Sequence, residues 1–386
     1  MPAQNPDLVN SSQTRLAEDI CFLLACLKGE KAPRSLVDAD IFGCLLSHHR
    51  IALAIDSSVL EDPLLGNILH TEQRRNRLQA MDRVAVLVET TKTLRAATIE
   101  PIWIKGPPLA KLLSGDPFRR PSRDLDFWVE EDIVPSALEA LQSLGWQPVE
   151  TRPLQHLKRI AHAITLHRPN SRTVLELHWR LATPDSALPI ARLAPRRHAI
   201  SVPIGDVEVT TLSLEAVLPY LAHHGTNHFW NRLFWLVDFQ SAARLDIDWE
   251  QVIEIARQTG VLKRLAFAFL AAEHLLGSPV PSLIRQQISP SWKLEQKLHL
   301  LAEAFTVPPE IDTATMYRVG LWRYVFWDMS LRDNWGSRFA VIAQKLRVTE
   351  KDEHLLQGKP WLAPLLPLAR LARVGARSLR TGTKGR

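Results

Sequence analysis

The fold is decided by the stretch Arg119-Arg120-Pro121-Ser122-Arg123-Asp124-Leu125-Asp126-Phe127-Trp128-Val129, together with Pro101-Ile102-Trp103-Ile104-Lys105-Gly106 upstream. Residues 102–104 and 125–129 are rich in β-branched and aromatic residues and are bounded by Gly and Pro, so both predict short strands. Successive side chains on a strand point to opposite faces, so Asp124 and Asp126 share one face. The sequence therefore predicts two strands and a pair of neighbouring carboxylates.

This pair of carboxylates has a chemical consequence. Two negative charges held side by side repel each other unless a cation lies between them. Mg²⁺ is the usual cation for an all-oxygen site, and it takes further ligands from substrate phosphates. Gly106, which ends the upstream strand, adds a turn where backbone N–H groups can meet a phosphate. Together these features predict metal-dependent phosphoryl or nucleotidyl transfer. The alternative interpretation is a solvent-exposed strand face or turn.

A third carboxylate, Glu176, lies in a predicted β-hairpin. Two β-rich runs, 161–167 and 173–179, flank a turn formed by Pro169-Asn170-Ser171. Glu176 stands between two leucines, so it shares the opposite face of its strand with His178. A third carboxylate on a neighbouring strand would complete a site for two metal ions. The alternative is a Glu on the solvent-exposed face of an edge hairpin.

Four motifs in this order resemble the uncharacterised nucleotidyltransferase family of the polymerase-β superfamily. They are Lys105-Gly106-Pro107-Pro108-Leu109, Arg120-Pro121-Ser122-Arg123-Asp124-Leu125-Asp126-Phe127-Trp128-Val129, Glu176-Leu177-His178-Trp179 and Trp235-Leu236-Val237-Asp238. The resemblance extends from about Ile102 to about Leu276 and leaves both ends uncovered. Two positions depart from the family pattern. Two prolines, which have no N–H to offer an anion, follow the phosphate turn, and Arg123 stands where the family has a small residue.

The resemblance implies an α+β fold: a polymerase-β-like nucleotidyltransferase core, with a small mixed sheet and helices, flanked by N- and C-terminal helical domains. Apolar residues at helical spacing before and after the strands agree with this division. We expect an N-terminal helical region (1–97), a nucleotidyltransferase-like α/β core (98–210), a helical domain (211–300) and a C-terminal helical segment with a basic tail (301–386). The tail from Pro360 is expected to dock on the protein body rather than on an anionic membrane.

The resemblance also implies the chemistry. Asp124, Asp126 and Glu176 would be catalytic and would bind Mg²⁺, or Mn²⁺ in its place. The substrate would be ATP or another nucleoside triphosphate, and its nucleoside monophosphate would move to a hydroxyl of an unknown acceptor: a small molecule, a peptide or another biopolymer. Nucleic acid is a less favoured partner that stays open. The expected nucleotide-binding residues are Lys105, Gly106, Arg120 and Arg123.

The stretch His223-His224-Gly225-Thr226-Asn227-His228 invites a metal interpretation. His224 and His228 share a helix face, as zinc ligands can, but neither a Cys pair nor a protease-type Glu accompanies them. We favour a place in the cleft between the core and the helical domain. The expected cleft residues, which would contact triphosphate or acceptor, are His178, His224, His228 and Arg232. Hydrogen-bonded helix residues are the alternative. Asp238 is expected to pair with an Arg elsewhere.

Composition limits the class of protein. A chain of 386 residues with 46% hydrophobic and 23% charged residues is ordinary for a soluble globular protein of two or three domains. The net charge of +6 suits polyphosphate, nucleic acid or an anionic surface. Cys21, Cys26 and Cys44 predict buried thiols in a reducing compartment. No apolar run reaches membrane-spanning length and no signal peptide is recognisable, so we expect a cytoplasmic protein.

Two other functions stay open at this stage. The same carboxylates would serve a metal-dependent phosphotransferase that modifies a peptide or a small molecule. The prolines after the phosphate turn, and a Glu where a third Asp is usual, would suit a non-catalytic nucleotide-binding or interaction module. The mass of a product separates transfer of a nucleotidyl group from transfer of a phosphoryl group.

Overall fold

The computed structural model describes residues 18–31, 38–186, 188–288, 294–305 and 321–346. The basic tail from Pro360 lies outside the described residues, and so does much of the predicted segment 301–386. Within the described ranges, no helix is long and apolar enough to cross a membrane.

A mixed sheet of seven strands forms the centre of the described fold. The strands are β1 (Ile102–Trp103), β2 (Asp124–Trp128), β3 (Gln147–Pro148), β4 (Ala163–His167), β5 (Val174–His178), β6 (Ala199–Ile204) and β7 (Val207–Leu212). Their order is β3-β4-β5-β2-β1-β7-β6. The β2–β5 and β1–β7 pairs are parallel, and the other neighbours are antiparallel. The strands predicted around Ile102 and Asp124 and the predicted hairpin, here β4–β5, are confirmed.

Helices surround the sheet. They are α1 (residues 18–28), α2 (Ala39–His49), α3 (Pro63–Ala96), α4 (Pro107–Ser114), α5 (Val134–Gln142), α6 (Leu154–Ile160), α7 (Leu214–Asn227), α8 (Phe234–Ala242), α9 (Trp249–Gln258), α10 (Leu262–Leu276), α11 (Ser282–Gln286), α12 (Leu294–Phe305), α13 (Leu321–Ser330) and α14 (Trp335–Leu346). Short 3₁₀ helices cover Ala52–Ala54, Ser57–Val59, Pro184–Ser186, Pro189–Arg192 and Pro195–His198.

Local sequence explains where the longest helix begins and the α10 helix ends. The Asp62 carboxylate accepts a hydrogen bond from the backbone N–H of Leu64, and Pro63 occupies the first helical position of α3, where no intrahelical N–H partner is needed. The α10 helix ends at Gly277, whose φ of 62° lies in the left-handed region that glycine adopts without strain. Capping chemistry therefore sets both boundaries.

Alternation along the central strands decides which face each side chain takes. Trp103, Leu125 and Phe127 belong to one hydrophobic cluster, covered by α5 and the C-terminal half of α3. We call it the sheet cluster. Ile102 and Ile104 belong to a second, the helical cluster, built largely from α1, α2 and α7–α10. Because neighbouring residues of a strand face opposite ways, the carboxylates of β2 lie on the face of the helical cluster.

The helical cluster joins helices from distant parts of the chain. Both α1 and α2 contribute to it together with α7–α10, whereas the C-terminal half of α3 contacts the sheet cluster. The predicted region 1–97 thus contributes to both hydrophobic clusters. The α+β class with a mixed sheet is confirmed, while the polymerase-β-like core and the boundaries at 97, 210 and 300 stay predictions.

One sequence expectation about the cysteines is wrong. Cys26 is buried, and its burial raises the pKa of the thiol to about 12. Cys21 and Cys44 are exposed, because each occupies a position of its helix that faces away from the helical cluster. All three are free thiols.

Candidate active site

Parallel pairing of β2 with β5 places the predicted carboxylates side by side. Asp126 is the register partner of Glu176, and Asp124 is the partner of Val174. The three carboxylates and Lys105 line one cavity of about 540 Å³, which we call the carboxylate cavity. Other sequence-predicted residues that line it are Arg120, Arg123, His224, His228 and Arg232. Gly106 and His178 are not among its lining residues, although His178 contacts the carboxylates of Asp126 and Glu176.

Asp126 is the most buried of the three carboxylates. Its Oδ2 lies 3.3 Å from Nζ of Lys105, and its Oδ1 lies 3.2 Å from Nε2 of His178. Burial alone would raise the pKa of Asp126, but Lys105 and His178 outweigh it and hold that pKa below its usual range. Burial would likewise lower the pKa of Lys105, but Asp126 and its neighbours raise it. The two groups therefore stabilise each other as ions.

His178 connects the carboxylates of β2 and β5. Its Nε2 is 3.2 Å from Oδ1 of Asp126 and 3.4 Å from Oε2 of Glu176. Burial lowers the pKa of the imidazole, but the hydrogen bonds to both carboxylates outweigh it and raise the pKa to about 9. One potential ligand atom from each of Asp126, Glu176 and His178 lies within 4.8 Å of the others. This geometry suits a metal ion, and it includes His178 rather than Asp124.

Asp124 stands in a different electrostatic environment. Burial, followed by repulsion from Asp126, raises the pKa of Asp124, while Lys105 and Arg50 oppose that rise. The backbone carbonyl of Asp124 accepts a hydrogen bond from the hydroxyl of Ser122. An additional cation near this carboxylate would relieve the repulsion.

Arg120, predicted to bind nucleotide, forms a buried ion pair. Its Nε and Nη2 donate to the two carboxylate oxygens of Asp238 at 2.8 and 2.9 Å. The expected pairing of Asp238 with an Arg is thus confirmed. Two of its five guanidinium N–H groups are committed to this contact, so Arg120 keeps three for a phosphate, two on Nη1 and one on Nη2. Arg123, by contrast, is exposed and forms no ion pair with any described residue.

The turn at Gly106 joins β1 to α4. Gly106 has φ 76° and ψ −145°, a conformation that favours glycine, and a Cβ there would lie 3.1 Å from Cδ2 of Leu125. Pro107 and Pro108 occupy the first turn of α4 and are buried. Because neither has an N–H, this helix start offers few donors to an anion. The nucleotide-binding role of Gly106 stays a prediction.

The His-rich stretch forms one wall of the carboxylate cavity. The rings of His224 and His228 lie 4.6 Å apart between centroids, and both contact Trp235. Burial, followed by the charge of Lys105, lowers the pKa of His224 far below its usual range, so that ring is neutral. Arg232 donates to the backbone carbonyl of His48 at 2.8 Å. No third ligand accompanies His224 and His228 in the described chain, so the structure offers no zinc site there.

Sequence reasoning missed Arg50 and Tyr220, which also line this cavity. The Arg50 guanidinium lies 5.5 Å from the centroid of the Phe234 ring. Burial, followed by repulsion from Arg232, lowers the pKa of Arg50 to about 10, so it remains charged at neutral pH. Tyr220 lies beneath the ammonium of Lys105, 5.6 Å from ring centroid to Nζ. In the sequence, Arg50 stands directly after the predicted α2. A basic residue there is explained by the helix dipole alone, so its position did not indicate a role in the cavity.

Comparison with known proteins gives one match. No curated protein and no solved structure matches the chain significantly. A family model described as uncharacterised nucleotidyltransferase matches residues 38–277, more than half of the chain. The match begins well before Ile102, so α2, Arg50 and α3 lie inside it, and the extent expected from the four motifs was too short. The chain therefore belongs to the family of uncharacterised nucleotidyltransferases and is an enzyme of that class.

Proposed function

We propose that this enzyme transfers a nucleoside monophosphate from ATP or another nucleoside triphosphate to a hydroxyl of an acceptor, with Mg²⁺ as cofactor. The observation that carries the proposal is the meeting of Asp124, Asp126 and Glu176 on neighbouring strands in a cavity rich in cationic side chains. Those cations are Arg50, Lys105, Arg120, Arg123 and Arg232. Carboxylates suit a divalent metal ion, and guanidinium groups suit the phosphates that it accompanies.

The residues present fit such a metal ion. Oδ2 of Asp126 is buried and accepts no hydrogen bond, although Lys105 lies 3.3 Å away, so its lone pairs are open to a further cation. Burial and repulsion from Asp126 disfavour the charged form of Asp124, which a nearby cation would stabilise. Carboxylate oxygens favour Mg²⁺. The imidazole of His178, whose pKa of about 9 keeps it protonated without metal, would have to release its proton to become a ligand, and Mn²⁺ would then be an alternative. When bound, the metal ion would neutralise phosphate charge and favour ionisation of the attacking hydroxyl.

The surrounding side chains supply binding and proton transfer. Lys105 keeps Asp126 ionised, and Arg50 and Arg123 bear charges available to the triphosphate. Glu176, with 32% of its side chain exposed, is the carboxylate open to take the proton of the acceptor hydroxyl. The hydroxyl oxygen forms a bond to the α-phosphorus as the bond from that phosphorus to its bridging oxygen breaks. Pyrophosphate leaves with the electron pair of the broken bond.

The test combines binding with isotope transfer. Thermal melts with a panel of nucleoside triphosphates, with Mg²⁺ or EDTA, should show a shift for the wild type that depends on Mg²⁺ and is lost in Asp124→Asn and Asp126→Asn. Asp132→Asn, an exposed Asp outside the cavity, is the matched control and should keep the shift. A shift that survives in both cavity variants would refute the metal site.

Isotope position distinguishes the proposed reaction from its rivals. When the nucleoside triphosphate is labelled at its α-phosphate, the label should move to a small molecule or a peptide, and pyrophosphate should be released. When it is labelled at its γ-phosphate, no acceptor should become labelled. Transfer of the γ-label instead would identify a phosphotransferase. Mg²⁺-dependent nucleotide binding without transfer of either label to any fraction would identify a non-catalytic nucleotide-binding module.

A further inference from the structure

A second cavity, of about 320 Å³, adjoins the carboxylate cavity. We call it the side cavity. The residues that line both cavities, and so form a shared wall, are Arg50, Arg120, Pro121 and Phe234. The Phe234 ring lies 5.5 Å from the Arg50 guanidinium and 5.3 Å from that of Arg120, measured to its centroid. Cation–π contacts of this kind hold both guanidiniums at the wall.

The side cavity carries an excess of positive charge. Arg120 is neutralised by the bidentate bond to Asp238, which also lines the cavity. Three further guanidiniums line it, those of Arg50, Arg119 and Arg244. None of the three forms an ion pair with a carboxylate in the described part of the chain. Guanidinium groups bind carboxylate and phosphate in planar, bidentate geometry, so three of them without an ion-pair partner around one cavity favour an anionic ligand.

Much of the remaining lining is apolar. Its apolar side chains include those of Ile51, Leu53, Leu113, Val237 and Leu245. A volume of this size with apolar walls and a few convergent polar groups is typical of a site for a small organic molecule. The chemistry therefore favours a ligand with an apolar body and one anionic group, rather than a bare inorganic ion.

The backbone at Arg50 is consistent with a ligand site. Its φ of 54° lies in the left-handed region, which is costly for a residue with a side chain. Strained residues of this type cluster at ligand-binding positions, because the surrounding structure must hold them there. This conformation ends α2 and directs the side chain to the wall between the two cavities.

We propose that the side cavity binds the acceptor, a small molecule with an apolar body and a phosphate or carboxylate group. The nucleotide occupies the carboxylate cavity, and the acceptor hydroxyl reaches it past Arg50 on the shared wall. The identity of the ligand as acceptor rests on the proposed function, whereas the binding of an amphipathic anion does not.

The test uses benzyl phosphate as probe, with benzyl alcohol and inorganic phosphate as its apolar and anionic halves. Isothermal titration of the full-length protein is done with and without a saturating non-hydrolysable ATP analogue and Mg²⁺, which fills the carboxylate cavity. Benzyl phosphate should bind with a Kd at least tenfold lower than either half. The variant Arg119→Gln/Arg244→Gln should raise that Kd at least tenfold. Arg159→Gln/Arg192→Gln, which removes two exposed arginines outside both cavities, should leave it unchanged.

The outcomes separate this proposal from the proposed function. An unchanged Kd in the Arg119/Arg244 variant would overturn the side cavity as the binding site. Equal affinity for inorganic phosphate and benzyl phosphate would overturn the amphipathic class of ligand. If the ATP analogue fails to bind while benzyl phosphate still binds through Arg119 and Arg244, the nucleotidyl-transfer proposal fails and the anion site stands.

Discussion

At the scale of single residues, Asp124 and Asp126 differ although the sequence presents them as a pair. Asp126 is fully buried, forms an ion pair with Lys105 and has a pKa below the usual range despite its burial. Asp124 is less buried by exposed area, and burial and the charge of Asp126 raise its pKa. Without metal, one carboxylate is therefore stabilised as an anion and the other is destabilised.

This difference predicts that the same substitution lowers the stability of the metal-free protein at Asp126 but not at Asp124. Asp126→Asn leaves the buried ammonium of Lys105 without its counter-charge, so the free energy of unfolding should fall by about 3–5 kcal/mol. Asp124→Asn removes a repelled charge, so that free energy should stay level or rise. Urea unfolding in EDTA measures both. If the unpaired Lys105 ammonium causes the loss, the double variant Lys105→Met/Asp126→Asn should regain part of the lost free energy of unfolding. Equal losses in Asp124→Asn and Asp126→Asn would contradict this explanation.

At the scale of secondary-structure elements, the Arg120–Asp238 pair connects the loop before β2 to α8. The sequence predicted Arg120 as a phosphate ligand and Asp238 as half of an ion pair, but gave no sign that they were partners. Their separation of 118 residues explains this, since no local pattern reports so distant a contact. Both side chains are less than a tenth exposed, so the pair fixes the wall between the two cavities.

Breaking this pair on one side should cost more than replacing both partners. Arg120→Gln or Asp238→Asn alone leaves a buried charge without its partner and should lower the free energy of unfolding by about 3–5 kcal/mol. Arg120→Met/Asp238→Leu should lose less than the sum of the single variants, because no buried charge remains. Arg257→Gln, which breaks the exposed pair with Glu254, is the control and should cost at most about 1 kcal/mol. Additive losses in the double variant would contradict a mutually neutralising pair.

At the scale of the whole molecule, prediction succeeded where the signal was local. Strand composition, two-residue alternation and turn residues predicted β2, the β4–β5 hairpin and the shared face of Asp124 and Asp126, because these features act over a few residues. The packing of α1 and α2 beside α7–α10 joins segments more than 150 residues apart, and amphipathic helices do not specify their partner. Arg50 reaches the carboxylate cavity only through that packing, so no local sequence pattern assigns it a distinct role.

Two buried histidines form contacts between different helical segments of the fold and make the stability of the whole molecule sensitive to acid. Nδ1 of His49, at the end of α2, accepts a hydrogen bond from the backbone N–H of Leu233 at 3.4 Å. Nδ1 of His223, on α7, accepts from Nη1 of Arg264 at 2.8 Å. Burial, followed by repulsion from nearby positive charges, lowers the pKa of both rings far below the usual range. Both histidines are therefore neutral in the folded protein.

In the unfolded chain these two histidines regain an ordinary pKa of about 6.5, so below that pH the unfolded state binds more protons than the folded state. Their contribution to stability is fully present above pH about 6.5 and is lost as the pH falls, with a slope approaching about 2.7 kcal/mol per pH unit for the pair. His178 acts in the opposite sense: its pKa of about 9 keeps it protonated in the folded protein, whereas the unfolded chain loses this proton as the pH rises through about 6.5. Its contribution is the same in the wild type and in a variant that changes only His49 and His223. Urea unfolding at pH 7, 6 and 5 should show that His49→Gln/His223→Gln removes this part of the slope, while His156→Gln, an exposed control, does not. A slope that persists in the double variant would mean that these rings are not the groups that take up protons on unfolding.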